Sequence, residues 1–456
     1  MATIQSATIQ GVTAVPVKVT VTAVAGLPTF KCIGLAESMV RETRLRVTSA
    51  LKTSGFDVSL PRHVTAALYP ADLRKESAAL DLPIALAWLA ELGEVPATMF
   101  EGVAAVGELG LDGTVRKVRG ALAHAEAARK NGATVLIVPA GCEELACLAA
   151  DFRPSRAFRV YAVRTLRDAA DMIREQFERS IPTWPLAREV DPPVDLADFA
   201  DVHGQDNAIR QVAACVAAGA GVLLVGPPGA GKSMLARRVP SILPPLTREE
   251  ALEVTRIYSA AGIAPDHMVQ HRPFRAPHHT ISDAGLLGGG SVVRPGEVTL
   301  AHHGVLFLDE LFEFRRSVIE GLRGALRDGE MRVWRSDGDV HLPTRCVVVA
   351  AANPCPCSGL FECRCAGPVF AAYSELLASY AKMLNLATVR VDPVPRGWHG
   401  PNRWTSAELR EHVARAQRYR TMDPSTPVLE WTLAELDGQL TGPAYRDEAA
   451  ALRASR

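Results

Sequence analysis

Apolar and polar positions alternate along the start of the chain. VTAVPVKVTVTAVAG, Val12 to Gly26, is rich in β-branched residues at a period of two and predicts a strand pair. The period then changes: AESMVRETRLRVTSALKTSG predicts a helix stopped at Gly55. HVTAALYP predicts a strand and SAALDLPIALAWLAELG a buried helix. VAAVGELGLDGTVRKV predicts a hairpin turning at Asp112-Gly113, GALAHAEAARKNG a helix and TVLIVPA a short buried strand. Residues 1–175 therefore read as one α/β unit. Four prolines between Pro182 and Pro193, with acidic residues among them, mark 176–200 as a linker. A second α/β unit is expected over 201–395. Residues 396–456, polar, helical and interrupted by Pro401, Pro424 and Pro427, read as a short helical lid.

The second unit carries the most informative segment. An apolar strand, Val222 to Val225, runs into Gly226, Pro227, Pro228, Gly229, Ala230, Gly231, Lys232 and Ser233, followed by a helical pattern. This is a phosphate-binding loop in the strand–loop–helix setting that it requires; a chance Gly-rich turn does not supply that setting. Backbone N–H groups and the helix N-terminus suit a β-phosphate. Lys232 suits β- and γ-phosphate oxygens, and Ser233 suits Mg²⁺. About 75 residues on, the buried run Val305 to Leu308 ends in Asp309-Glu310, one carboxylate to hold Mg²⁺ and one to polarise an attacking water. A third strand, CVVVAAANP, ends in Asn353, placed either to orient that water or simply to form a turn before Pro354.

Composition narrows the setting. Forty-eight per cent hydrophobic and 22% charged residues exclude a disordered or collagenous chain. Fifty basic residues balance 50 acidic ones, which argues against a dedicated basic nucleic-acid module. The uncharged run Val212 to Gly231 contains Pro227 and Pro228 and is explained by a helix and strand feeding the loop rather than by a membrane span. No signal peptide is evident at the N-terminus. Nine cysteines, an odd number with four crowded between Cys355 and Cys365, fit a reducing, cytoplasmic compartment.

With the three strand tips in hand, the chain resembles the YifB/ComM family of magnesium-chelatase-like AAA+ ATPases. VHGQDNAIRQVAACVAAGAGVLLVGPPGAGKS, RPFRAPHHTISDAGLLGGGSVVRPGEVTLAHHGVLFLDELFEF and AAANPCPC carry the likeness, and GLAESMVRETRLRVTSAL, LYPADLRKESAALDLPIAL and GELGLDGTVRKVRGAL extend it to the first unit. The resemblance implies a Lon-protease-like (ribosomal S5 domain 2-like) α/β domain followed by a P-loop AAA+ domain and a short helical C-terminal region. By the same implication Gly226 to Ser233 form Walker A, Asp309 and Glu310 Walker B, and Asn353 sensor 1. Leu286 to Glu297 would be a pore-facing insert. The cofactors it implies are ATP and Mg²⁺. The partners it implies are further copies of the chain in a hexameric ring, and DNA, which ComM-like members remodel as helicases.

Two departures qualify the likeness. At the Lon dyad positions stand Ala79 and Leu122; Ser77 and Lys75, two apart on a helix, do not face each other, so no protease chemistry is expected. Where the family reads DRID, this chain reads Met383, Leu384, Asn385 and Leu386. The arginine finger is therefore missing at Leu384, and Lys382 and Arg390 are out of register. Because such a finger stabilises transition-state charge, the sequence predicts ATP binding with weakened turnover.

Other constellations remain. Cys355, Cys357, Cys363 and Cys365 offer four thiolates for a structural Zn²⁺, or stand as redox-active thiols. His278-His279 and His302-His303, being adjacent, are poorly placed for shared ligation on a strand and read as substrate, intersubunit or ordinary loop residues. Arg272, Arg275 and Arg294 bracket the Gly-rich insert and either track a phosphate backbone or form a solvated face. The expectation is a ring-forming ATP hydrolase acting on DNA. The rivals are a chelatase-type motor subunit acting on a protein partner, and an ATP-binding scaffold with weak hydrolysis.

Overall fold

The computed structural model describes residues 1–58, 61–75, 78–150, 158–178, 197–335, 338–357, 364–394 and 404–422. Ser77, Cys363, most of the expected linker and most of the C-terminal stretch lie outside these residues.

The chain forms two mixed α/β layers. The first is a seven-stranded sheet, ordered Thr29–Ile33, Arg62–Tyr69, Thr13–Ala25, Ala2–Gln10, Val103–Ala105, Val135–Pro139 and Arg159–Val163. Val12 to Gly26, expected to hold two strands, contains a single strand of 13 residues. Its partner is the preceding segment, with Ala2 opposite Val21 and Gln10 opposite Thr13. ATIQSATIQ alternates as well as its partner does, and the connection turns at Gly11, whose φ of 62° suits a tight reversal. Helix Asp81–Glu91 is buried along nearly its whole length and fills this layer's core with Leu82, Ile84, Leu86 and Leu89.

The second sheet has five parallel strands, ordered Phe274–Arg275, Val305–Leu308, Val347–Ala352, Gly221–Val225 and Leu386–Arg390. Helices cover both of its faces, so its central strands read as unbroken apolar runs: every residue of Val305–Leu308 is buried. The uncharged run Val212 to Gly231 is the end of helix Asp206–Ala217, the strand Gly221–Val225 and the loop that follows. Among the described residues no helix is long and apolar enough to cross a membrane.

Helix Arg248–Ala261 joins the layers. Arg256 makes two bonds to Glu126, at 2.7 and 2.8 Å, and the Gly120 N–H donates to the Ser259 carbonyl at 2.8 Å.

Candidate functional site

All five strands of the second sheet point the same way, so their carboxyl ends open on one edge, where α/β sheets place ligands. A cavity of 610 Å³ lies there, lined by Lys232, Ser233, Asp309, Glu310 and Asn353 among others. Three adjacent strands deliver these groups: Gly221–Val225 runs into the loop, Val305–Leu308 ends at Asp309, and Val347–Ala352 ends at Asn353.

The loop geometry follows from its glycines. A Cβ at Gly226 would lie 2.2 Å from the Val391 carbonyl oxygen, so only glycine lets the loop leave the strand against its neighbour. Gly231, at φ 98°, caps the helix Lys232–Ile242 in a backbone region that other residues rarely adopt. The Lys232 ammonium donates to the carbonyls of Gly226 at 2.6 Å and Pro227 at 3.0 Å, and to Asn353 Oδ1 at 3.3 Å. Burial lowers its pKa, while the Asp309 and Glu310 carboxylates pull the other way. Ser233 Oγ donates to Asp309 Oδ2 at 3.0 Å. A hydroxyl and a carboxylate converging at a helix N-terminus are hard oxygen donors suited to Mg²⁺.

Glu310 follows in a left-handed conformation, φ 51° and ψ 56°, and its N–H donates to Asp309 Oδ1 at 3.0 Å. His279 Nδ1 lies 3.5 Å from Glu310 Oε2, a neighbour that no spacing in the sequence pointed to. Two further supports were invisible in the sequence. Tyr373, on the helix Gly367–Met383, donates its hydroxyl to the Asn353 carbonyl at 2.9 Å. Gln205 Nε2 donates to the Ala230 and Asp392 carbonyls, at 3.1 and 2.6 Å, and ties the loop to the chain beyond the edge strand.

The remaining candidates are distributed differently. Leu384 is buried among Tyr380, Ala381 and Leu386 at the end of the helix Gly367–Met383; Arg390 pairs with Asp392 at 2.8 Å. Arg272 is taken up by the Pro244, Pro245 and His303 carbonyls and by Glu250, and Arg275 by Glu297 at 2.6 and 2.8 Å; the pair is thus structural, not a phosphate track, while Arg294 is exposed. His302 and His303 are loop residues, one of the readings that the sequence left open, and they converge on one carboxylate. They follow the turn after Glu297–Leu300 rather than lying on a strand, His303 has φ 57°, and both Nε2 atoms reach Glu253 Oε2, at 3.1 and 2.8 Å. Because His302 Nδ1 accepts the Arg345 N–H at 3.0 Å, its proton sits on Nε2, which leaves that nitrogen a donor to Glu253 rather than a metal ligand.

Two family models match the chain: magnesium chelatase, subunit ChlI, over residues 198–385, and subunit ChlI of Mg-chelatase over residues 17–141. YifB of Salmonella typhimurium is 38% identical over 349 residues, 76% of this chain and 66% of that protein. A Mycobacterium bovis protein is 36% identical over 440 residues, 94% of this chain and 84% of its own length. The competence protein ComM of Haemophilus influenzae is 34% identical over 406 residues, 86% of this chain and 77% of that one. A solved complex of the magnesium chelatase subunits BchI and BchD matches 56% of this chain at 18% identity and a TM-score of 0.32, too loose a likeness to add to the sequence relationship.

Proposed function

Because the chain belongs to the YifB/ComM family of magnesium-chelatase-like proteins, we propose that it is a P-loop AAA+ ATPase that binds Mg²⁺·ATP at the carboxyl edge of the five-stranded sheet. The observation that carries this reading is the convergence of Lys232, Ser233, Asp309 and Asn353 on one cavity from three adjacent strands. In this reading Gly226 to Ser233 wrap the phosphates, and Lys232 exchanges the Gly226 and Pro227 carbonyls for β- and γ-phosphate oxygens. Ser233 and Asp309 hold Mg²⁺, which when bound neutralises phosphate charge. Glu310 takes the proton of the attacking water, with His279 beside its carboxylate, and Asn353 orients that water. Titration of a fluorescent ATP analogue into wild type and Lys232→Ala tests the assignment: affinity falls in the variant, and unchanged affinity refutes it.

We divide the chain at the boundaries 1–175, 176–200, 201–395 and 396–456. The first unit is taken as a Lon-protease-like scaffold without protease chemistry. In support, Leu122 is buried in an apolar core, and Lys75 spends its ammonium on the Gly34, Pro70 and Leu73 carbonyls. Assembly into a ring, hexameric by the resemblance, is supported by the helix Gly367–Met383, which borders the cavity through Tyr373 and exposes Val369, Phe370 and Leu376. Light scattering with and without ATP reads the subunit number. Action on DNA follows from the resemblance alone and a cytoplasmic setting from the cysteine usage, and fork-shaped DNA against a protein partner in a binding assay separates a helicase from a chelatase-type motor. Turnover is expected to be slow, because a buried Leu384 supplies no arginine to a neighbouring site.

A further inference from the structure

We propose that Cys355, Cys357 and Cys365 bind one Zn²⁺ and that this metal braces the segment carrying Asn353 against the helix Gly367–Met383. The three Sγ atoms all lie within 4.8 Å of one another. Those of Cys355 and Cys357 are 3.1 Å apart. Thiolates bound to one tetrahedral zinc at about 2.3 Å stand roughly 3.8 Å from each other, so the three sulfurs sit where a single ion reaches all of them. Zn²⁺ is the natural occupant because soft thiolates select it over the hard cations that suit the Ser233–Asp309 pair. Three thiolates leave one tetrahedral position for a further donor.

The placement says what the metal does. Cys355 is buried, lies two residues beyond Asn353 and lines the same cavity as Lys232 and Asp309. Cys365 lies two residues before the helix whose Tyr373 donates to the Asn353 carbonyl. An ion shared by Cys355 and Cys365 therefore ties the chain leaving the central strand to the start of that helix, and Asn353 is held from both sides. Among the described residues the remaining cysteines, Cys32, Cys142, Cys147, Cys215 and Cys346, lie outside this cluster, and Cys363 falls outside the described residues.

Zinc binding does not depend on the ATP reading; the bracing of Asn353 does. The test uses the full chain purified without chelator. Metal release and a colorimetric zinc assay are expected to give about one Zn²⁺ per chain in wild type and in the control Cys215→Ser. In Cys357→Ser, an exposed position, and in Cys365→Ser, zinc affinity should fall by at least the roughly 10–100-fold that a supporting-shell change costs. Co²⁺ added to stripped wild type should produce thiolate-to-metal charge-transfer absorption, a readout that survives if the variants fail to fold. A wild-type chain whose cluster thiols all react with a thiol reagent in the presence of Zn²⁺, or a Cys355–Cys357 disulfide in the mass spectrum, overturns the proposal. Zinc present with nucleotide affinity unaffected by Lys232→Ala would instead overturn the ATP reading and leave the metal site standing.

Discussion

Ser233 Oγ and Asp309 Oδ2 meet at 3.0 Å across 76 residues of sequence, one from the first turn of the loop helix and the other from the tip of a buried strand. A hydroxyl and a carboxylate in contact satisfy each other. Replacing that contact by a shared Mg²⁺ costs little rearrangement. Asp309→Asn keeps the hydrogen bond but removes the charge that a divalent ion needs. It is expected to leave nucleotide affinity in EDTA unchanged and to abolish the gain in affinity on adding Mg²⁺. Equal Mg²⁺ dependence in wild type and variant would remove Asp309 from the metal site.

Lys232 is half-buried, and the Gly226 and Pro227 carbonyls already solvate its ammonium. Exchanging those neutral acceptors for phosphate oxygens makes charge-assisted bonds, each worth about 1.5–3 kcal/mol. Lys232→Ala should therefore weaken ATP binding by roughly 10- to 150-fold. Lys232→Arg is not a rescue, because the longer planar fork does not fit a cradle shaped for a point charge. Both are read by titration of a fluorescent ATP analogue.

Glu310 sits beyond the metal-side carboxylate in a backbone conformation that non-glycine residues seldom take. That conformation turns the chain so that Asp309 and Glu310 both line the cavity, although adjacent residues on a strand face opposite sides. Glu310→Gln keeps the shape and loses the base. It should retain ATP affinity while turnover falls by about 10²–10⁴-fold, measured as phosphate release against binding in the same preparation. Matching losses in both would mark Glu310 as a binding residue instead.

What the sequence made legible was whatever is local. A strand, a glycine loop and a lysine at fixed spacing leave little conformational choice, and apolar runs ending in Asp309 or Asn353 declare the strand tips. The order of the strands was not legible, and neither was the pairing of Ala2–Gln10 with Thr13–Ala25, since two alternating segments look alike whichever of them folds back. The convergence of His302 and His303 was hidden for a related reason. Neighbouring side chains diverge on a strand, but these two lie in a turn, where φ 57° at His303 brings both rings to one carboxylate. Arg272 and Arg275 looked available for phosphate because their partners, Glu250 and Glu297, lie 22 residues away in sequence.

Two buried histidines set a pH dependence of stability. Burial pushes His302 and His124 down to about 4 from an ordinary 6.5. His302 faces Glu253, His303 and Arg345, and protonating its Nδ1 would break the bond from the Arg345 N–H. The unfolded chain takes up protons below about pH 6.5 and the folded chain only near pH 4, so stability falls as the pH drops through that window. The cost between pH 7.5 and 5 is about 2 kcal/mol per histidine. Urea denaturation of wild type and His302→Gln at pH 7.5 and pH 5 should show the variant spared about 2 kcal/mol of acid destabilisation, because Asp81, pushed up to about 7 by burial, titrates the opposite way in both chains and cancels in the comparison. A variant as pH-sensitive as wild type would place the titrating groups elsewhere.

In the first layer, Asp81 opens the central helix from a fully buried position, held by Arg46 at 2.6 and 3.2 Å and by the Leu109 N–H at 3.3 Å. Removing one partner of such a pair is worse than removing both, because the surviving charge is left in an apolar core. Arg46→Met keeps the aliphatic stem but leaves the carboxylate uncompensated, at an expected cost of about 3–5 kcal/mol near pH 8. That carboxylate can escape by taking a proton. Burial already pushes the wild-type carboxyl up to about 7, loss of Arg46 raises it further, and the deficit of Arg46→Met shrinks as the pH falls to about 7, below which both folded chains carry the proton. Adding Asp81→Asn to Arg46→Met should recover much of the lost stability at pH 8 and flatten the pH dependence. If the stability difference between wild type and Arg46→Met is the same at pH 8 and pH 5, the Asp81 carboxyl is not the group that Arg46 holds in place.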